Sequence, residues 1–406
     1  MAERSAPATV GSYTLDAQEA DRLWNWVLTR QGLAAHTRGE SVEQIAEAAL
    51  GLHAARLPSP FATVAARAKD PAIALSLFTP ATRSRVVTLR CMRKTLHTLP
   101  LGLAAAAHAA TLRFRERDAL RILVNAGHTE HSTAPATKAL IELLGENGPL
   151  HHRDIETRLA TAAIPVPLTR LALKLAWERG TLTYLNGAAG WNREVRTFAL
   201  TARTYPALQT DLPAPVAVER LISAYLDRYG PVSIRDATWW SGLSRTAVLN
   251  GIERCGVKLI ELRSPWSDNP LYMPEERFNK FIDSSELDHT TGIHLLGHED
   301  VALKAYFETR ARYLRDLSAS TAFNQIGEVL PTIIHNGHVI GTWAWHQPTG
   351  EIRARLVPRA TTPDQRKHIH AAASKHTQVL HAGRTAGPSP GPAQMVLPPA
   401  ADALFG

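Results

Sequence analysis

The chain has 406 residues, of which 45% are hydrophobic and 20% charged. This balance excludes a wholly disordered protein and predicts about two to four domains of roughly 100–200 residues. Lys and Arg number 45 against 37 Asp and Glu, a net charge of +8. Nine basic residues and two acidic ones fall between Arg83 and Arg121. A positive field so concentrated suits a polyanion such as nucleic acid; the plainer reading is a solvated face of an Ala/Arg-rich chain. No apolar run is long enough to span a membrane. Met1–Asp16 lacks the basic start and apolar core of a secretory leader, so a cytoplasmic, nucleoid-associated protein is expected. Cys91 and Cys255 have no metal-type spacing and read as reduced thiols.

In chain order, residues 1–16 are small and polar and read as a flexible arm. Residues 17–133 form a first winged-helix-like domain. Asp16 caps a helix with apolar positions at Leu23, Trp26, Val27 and Leu33. Ser41 with Gln44 signals the next helix, which Pro58 and Pro60 end. Arg85–Thr98 alternates as a strand and turn, and Leu101–Leu112 is helical. Residues 134–212 give three helices and then two short strands around Gly187–Gly190, the order of a winged helix. Residues 213–264 repeat it: Tyr229-Gly230-Pro231-Val232-Ser233 matches Asn147-Gly148-Pro149-Leu150-His151, and an internal duplication follows. Beyond Pro265 the texture becomes short β-type runs. Asn336-Gly337 is the strongest hairpin signal. Residues 265–382 are expected as a small β-barrel ending in the helix Thr362–Ala382, and the Pro-rich residues 383–406 as a disordered tail.

No phosphate loop, dinucleotide fingerprint or nucleophile elbow is present. Among eighteen histidines, His294 and His298 have helical spacing but sit on a strand end without the Glu of a zinc-protease helix. No metal and no cofactor are expected.

The segment Leu50–Arg67, Leu-Gly-Leu-His-Ala-Ala-Arg-Leu-Pro-Ser-Pro-Phe-Ala-Thr-Val-Ala-Ala-Arg, resembles the signature of the winged-helix DNA glycosylases of the AlkZ/YcaQ type. Four more segments resemble that family in order: Arg93–Pro100; Tyr229-Gly230-Pro231 with Trp239–Leu243; Leu295–Asp300, where the family reads Leu-Leu-Pro-x-Phe-Asp; and Pro331–Trp343. The resemblance implies an α+β fold in which tandem winged helices precede a C-terminal β-barrel, arranged as a C-shaped clamp on duplex DNA. It further implies a glycosylase that excises alkylated bases and unhooks crosslinks without fully flipping the base.

The family carries Gln-apolar-Gln or Gln-apolar-Asp at the scissile nucleotide. Here the triplet is His53-Ala54-Ala55. His53 can replace the first Gln as a hydrogen-bonding group or a base; Ala55 can do neither. His53 is therefore the expected catalytic residue, against a plain role in packing at a helix end. Arg67, Arg93, Lys94, His97, Trp191 and Arg193 are the expected DNA contacts. Arg67 could equally brace the fold, and Trp191 could simply pack. Trp239 and Trp240 are expected in a core, and Trp343 and Trp345 on one inward face.

A cationic alkylpurine has an already weakened glycosidic bond, so a site with His53 alone suffices for hydrolysis. The sequence predicts a monofunctional glycosylase acting on alkylated or bulky-adducted purines in duplex DNA, in repair or in self-protection against a genotoxin. It would work as a monomer and leave an abasic site, because no lysine nucleophile near the motif argues for a lyase step. Its rivals are a catalytically degenerate DNA- or lesion-binding protein and a winged-helix transcription regulator.

Overall fold

A computed structural model describes residues 6–285, 292–357 and 361–385. Strand β1 (Gly11–Thr14) opens these, followed by the helix Ala17–Leu28, capped by Asp16 through a reciprocal box with Glu19. This helix buries Leu23, Trp24, Trp26, Val27 and Leu28 on one face. The helix Val42–Ala48, β2 (Leu52–His53) and the helix Pro58–Arg67 come next. Strands β3 (Val86–Arg90) and β4 (Leu96–Pro100) complete a small antiparallel sheet in the order β2-β4-β3. The helix Leu101–Asn125 then runs far beyond the segment expected from sequence.

Helix Glu130–Asn147, β5 (Leu150–His151), helices His152–Thr161 and Val166–Glu178, and strands β6 (Leu182–Asn186) and β7 (Arg196–Leu200) form the next unit. Helices Ala214–Tyr229, Ile234–Ser241 and Arg245–Cys255, with strands β8 (Leu259–Ser264) and β9 (Ser267–Pro274), repeat its order. Where the earlier unit pairs β5 with β7, the later one bridges Val232 to Tyr272. The expected flexible arm is corrected here. Gly11–Thr14 pairs in parallel with β8, giving the sheet β1-β8-β9. An unpaired β8 edge would leave its amides and carbonyls without partners, and the arm supplies them. Residues 1–5 of that arm lie outside the described residues.

The C-terminal part holds β10 (Ile293–Leu296), β11 (Thr332–His335), β12 (His338–His346) and β13 (Glu351–Leu356), paired antiparallel in chain order. Asn336 and Gly337 form the β11–β12 turn, both with positive φ, as a two-residue hairpin needs. The expectation of a closed barrel is corrected to an open sheet: none of the sheets among the described residues closes. The reason is the helix Pro363–Ala382, which packs on both β10 and β13. It buries Ile369, Ala373 and Leu380 with Trp343 and Ile333, so one sheet face is covered without closure. Trp343 and Trp345 share that cluster, as their alternation requires. The last three described residues run against Trp191 and Asn192, so the tail is ordered at its start; residues 386–406 lie outside the described residues.

The parts are locked by a few long-range polar contacts. Trp24 donates from Nε1 to the Gly337 carbonyl at 2.7 Å, and Tyr229 donates to the Ala49 carbonyl at 2.5 Å. The strongest lock joins the helix Pro58–Arg67 to the loop after β10. Arg67 donates through Nη1 and Nη2 to Asp300 at 2.8 and 2.7 Å, and through Nε to the Gln31 carbonyl at 3.0 Å. Both residues are fully buried. Removing one partner of a buried ion pair leaves an uncompensated charge. Asp300→Ala is accordingly expected to destabilise the fold by about 3–5 kcal/mol, read as a shift of the urea midpoint. Lys138→Ala, which breaks only an exposed pair with Glu142, should change it by less than about 1 kcal/mol.

Candidate active site

The site grows from the register of β2 on β4, which sets His53 directly opposite His97. The two imidazoles meet edge to face with centroids 5.2 Å apart. Gly51, with φ +98°, permits this pairing: a Cβ there would lie 2.2 Å from the Leu99 side chain. His97 Nδ1 lies 3.1 Å from the Thr95 carbonyl. A carbonyl only accepts, so Nδ1 carries the hydrogen and Nε2 is left as an acceptor. Cys91, 3.5 Å from the same ring, is raised by burial to about 12 and stays a thiol.

His53 is buried and, among the described residues, neither of its ring nitrogens has a hydrogen-bond partner. Burial, reinforced by Lys304, His97, His298 and Arg93, holds it well below the usual imidazole range, so it is neutral. A neutral imidazole can accept a proton. It faces a small pocket with His97, Thr95, Arg93, Met92, Trp240 and Lys304. The space is that of about one water molecule.

Two groups at the site are absent from the sequence expectation: Lys304, which lines the pocket, and Glu299, which contacts both Lys304 and His53. Glu299 Oε2 lies 3.5 Å from His53 Nε2 and also forms an ion pair with Lys304. Glu299 Oε1 accepts from the Val329 amide at 2.6 Å. Its φ is +56°, a costly conformation for a residue with a Cβ, and the Arg67–Asp300 lock beside it fixes that turn. Glu299 stands where the resembling motif has Phe, which was the one signal available in sequence. Lys304 gave no signal, because only folding carries it to residue 53. Burial lowers its amine well below the ordinary lysine range, with Arg93 adding to the effect.

Ala55 contributes no polar atom and packs against the apolar cluster of the middle unit. The next residue, Arg56, pairs with Glu328 at 2.5 Å, and Glu328 lies 3.7 Å from His298. The structure brings His53, Arg93 and His97 together. Arg93 has φ +52° and stacks its guanidinium 3.5 Å over Trp239. Lys94 is paired with Asp118. The remaining expected contacts fall elsewhere. Arg67 is sealed in its pair with Asp300, so it braces the fold and reaches no ligand. Trp191 is buried, donating to the Leu380 carbonyl at 2.7 Å and packing on Trp345, which removes it from any groove. Arg193 is half-buried on the turn between β6 and β7.

The single basic face expected between Arg83 and Arg121 is also corrected. Arg90 and Arg115 are buried on Glu178, and Arg83 donates to the Ala188 carbonyl. What stays exposed is Arg85, paired with Glu43, and Arg113, Arg117 and Arg121, spaced four apart on one side of the helix Leu101–Asn125. Helical periodicity could have found this stripe.

Several histidines are neutral because they are buried. His97 and His108 are lowered to about 3 and His376 to about 4, each chiefly by burial. In an unfolded chain they titrate near about 6.5. The unfolded state therefore binds more protons as pH falls below about 6.5, and the folded state loses stability down to about pH 3. The melting temperature is expected to fall between about pH 7 and about pH 5; a flat profile across that range would contradict neutral burial.

A family model described as DNA glycosylase AlkZ-like matches residues 46–379. The solved structure of the Streptomyces sahachiroi DNA glycosylase AlkZ is similar at a TM-score of 0.72 and 20% identity, covering 93% of this chain and 98% of that one. A search of curated proteins finds no match. No helix among the described residues is long and apolar enough to cross a membrane. The family model spans most of the chain, and the chain belongs to the AlkZ-like DNA glycosylase family.

Proposed function

We propose that this glycosylase hydrolyses the N-glycosidic bond of alkylated or bulky-adducted purines in duplex DNA, as a monomer, for repair or protection against a genotoxin. The observation that carries the reading is His53, buried, neutral and without a hydrogen bond at a water-sized pocket. In this mechanism the C1′–N bond breaks with its electrons leaving on the base. A water in the small pocket lined by the two imidazoles adds to C1′ and gives its proton to His53. Glu299, 3.5 Å behind His53, stabilises the imidazolium so formed. The helix–strand repeats are read as tandem winged helices, and the exposed Arg113 and Arg117 as phosphate contacts beside the Arg93-Lys94 turn.

The test is duplex DNA carrying N7-alkylguanine, treated with alkali after incubation. Wild-type protein is expected to generate strand breaks, and His53→Ala to reduce them by about 10²–10⁴-fold. Breaks undiminished in the variant would remove His53 from the mechanism. Retained binding without breaks would favour the lesion-binding rival, which the alanine at position 55 supports. Arg113→Ala with Arg117→Ala should lower the slope of log affinity against log salt by about 2 without altering base preference. An unchanged slope would place the phosphate track elsewhere.

A further inference from the structure

We propose that Lys304 gives this protein a second activity: cleavage of the DNA strand at the abasic site, through an iminium between its amine and C1′ of the exposed deoxyribose. The inference rests on the reading above only in taking the His53 pocket to face the scissile sugar. Three observations support it. Lys304 lines the same small pocket as His53 and His97. Its amine and the His53 Nε2 both lie against one and the same oxygen, Glu299 Oε2, which keeps the two side chains adjacent at the pocket wall. And Glu299 is a buried carboxylate in direct contact with the amine, positioned to take its proton. Burial independently favours the uncharged, nucleophilic amine.

The chemistry needs no added reagent. In the ring-opened abasic sugar C1′ is an aldehyde. With its proton on Glu299, Lys304 Nζ adds to C1′, and the carbonyl oxygen departs as water after proton return, leaving a protonated imine. The imine acidifies C2′. His53 takes the C2′ proton, the C2′–H electrons form the C2′–C3′ double bond, and the C3′–O bond breaks with its pair on the phosphate. Water then hydrolyses the imine, freeing Lys304 and an unsaturated aldehyde on one strand end, with a 5′-phosphate on the other. An abasic nucleotide has no base to unstack, so it enters a narrow site at less cost than an intact one.

The experiment uses the full chain and a duplex with one preformed abasic site, so the original lesion does not enter. Incubation with sodium borohydride should reduce the imine and leave a covalent protein–DNA adduct on a denaturing gel. Peptide mapping should place the adduct on Lys304. Without borohydride, strand breaks should form without alkali. Lys304→Arg, which keeps a long basic side chain against Glu299 but cannot form the imine, should abolish the adduct and reduce breaks at least about tenfold, while its melting curve matches the wild type. No adduct where a known lyase gives one in the same mixture, or an adduct on another amine, overturns the proposal. Base release from N7-alkylguanine without trapping leaves hydrolysis standing and sinks the lyase. Trapping without base release does the reverse.

Discussion

The pairing of Arg67 with Asp300 is the constraint on which the rest of the molecule depends. Two charges without solvent contact tie a helix near the start of the chain to a loop 233 positions later. Such a pair is weak as a source of net stability, since desolvation offsets much of the attraction. Its force is in specificity: any other docking of the two segments strands a buried charge. The lock also fixes everything attached to it. His53 ends the short strand whose turn leads into the helix that carries Arg67, and Glu299 is the residue before Asp300. Their meeting follows from that single contact.

The site assembled in this way is unusual in its electrostatics. Arg93, Lys304 and two neutral histidines line a space for one water, with the Glu299 carboxylate 3.5 Å from His53. Positive φ at Arg93, Lys94 and Glu299 concentrates backbone strain around the same point. Strain of that kind persists only where the surroundings over-determine it, and here the cation–π contact with Trp239, the Lys94–Asp118 pair and the Arg67–Asp300 lock do so.

Much of this was legible in the sequence, and what was not has physical reasons. Local grammar was readable: Asp16 as a cap, Asn336-Gly337 as a hairpin, the repeated Gly-Pro turn, and the helix ending at Ala382 all follow from short-range rules. His53 was legible because a motif surrounded it. Glu299 and Lys304 were not, since their proximity to residue 53 is created by a tertiary contact. Arginine-rich stretches misled for a related reason. Charge density along a chain says nothing about partners, and Glu178 absorbs both Arg90 and Arg115. The N-terminal arm misled too, because a polar, loop-like composition hides an extended segment that a distant strand recruits.

The size of the His53 pocket carries a consequence for discrimination. A void that admits one water cannot enclose a purine, so it cannot sort damaged from normal bases by fit. Under the proposed reaction, selectivity would then reside in the leaving group: the enzyme supplies the same modest push to every nucleotide it contacts, and only bases that depart readily respond. Such kinetic sorting sets no upper limit on the bulk of an adduct, while intact DNA is spared by the strength of its own glycosidic bonds.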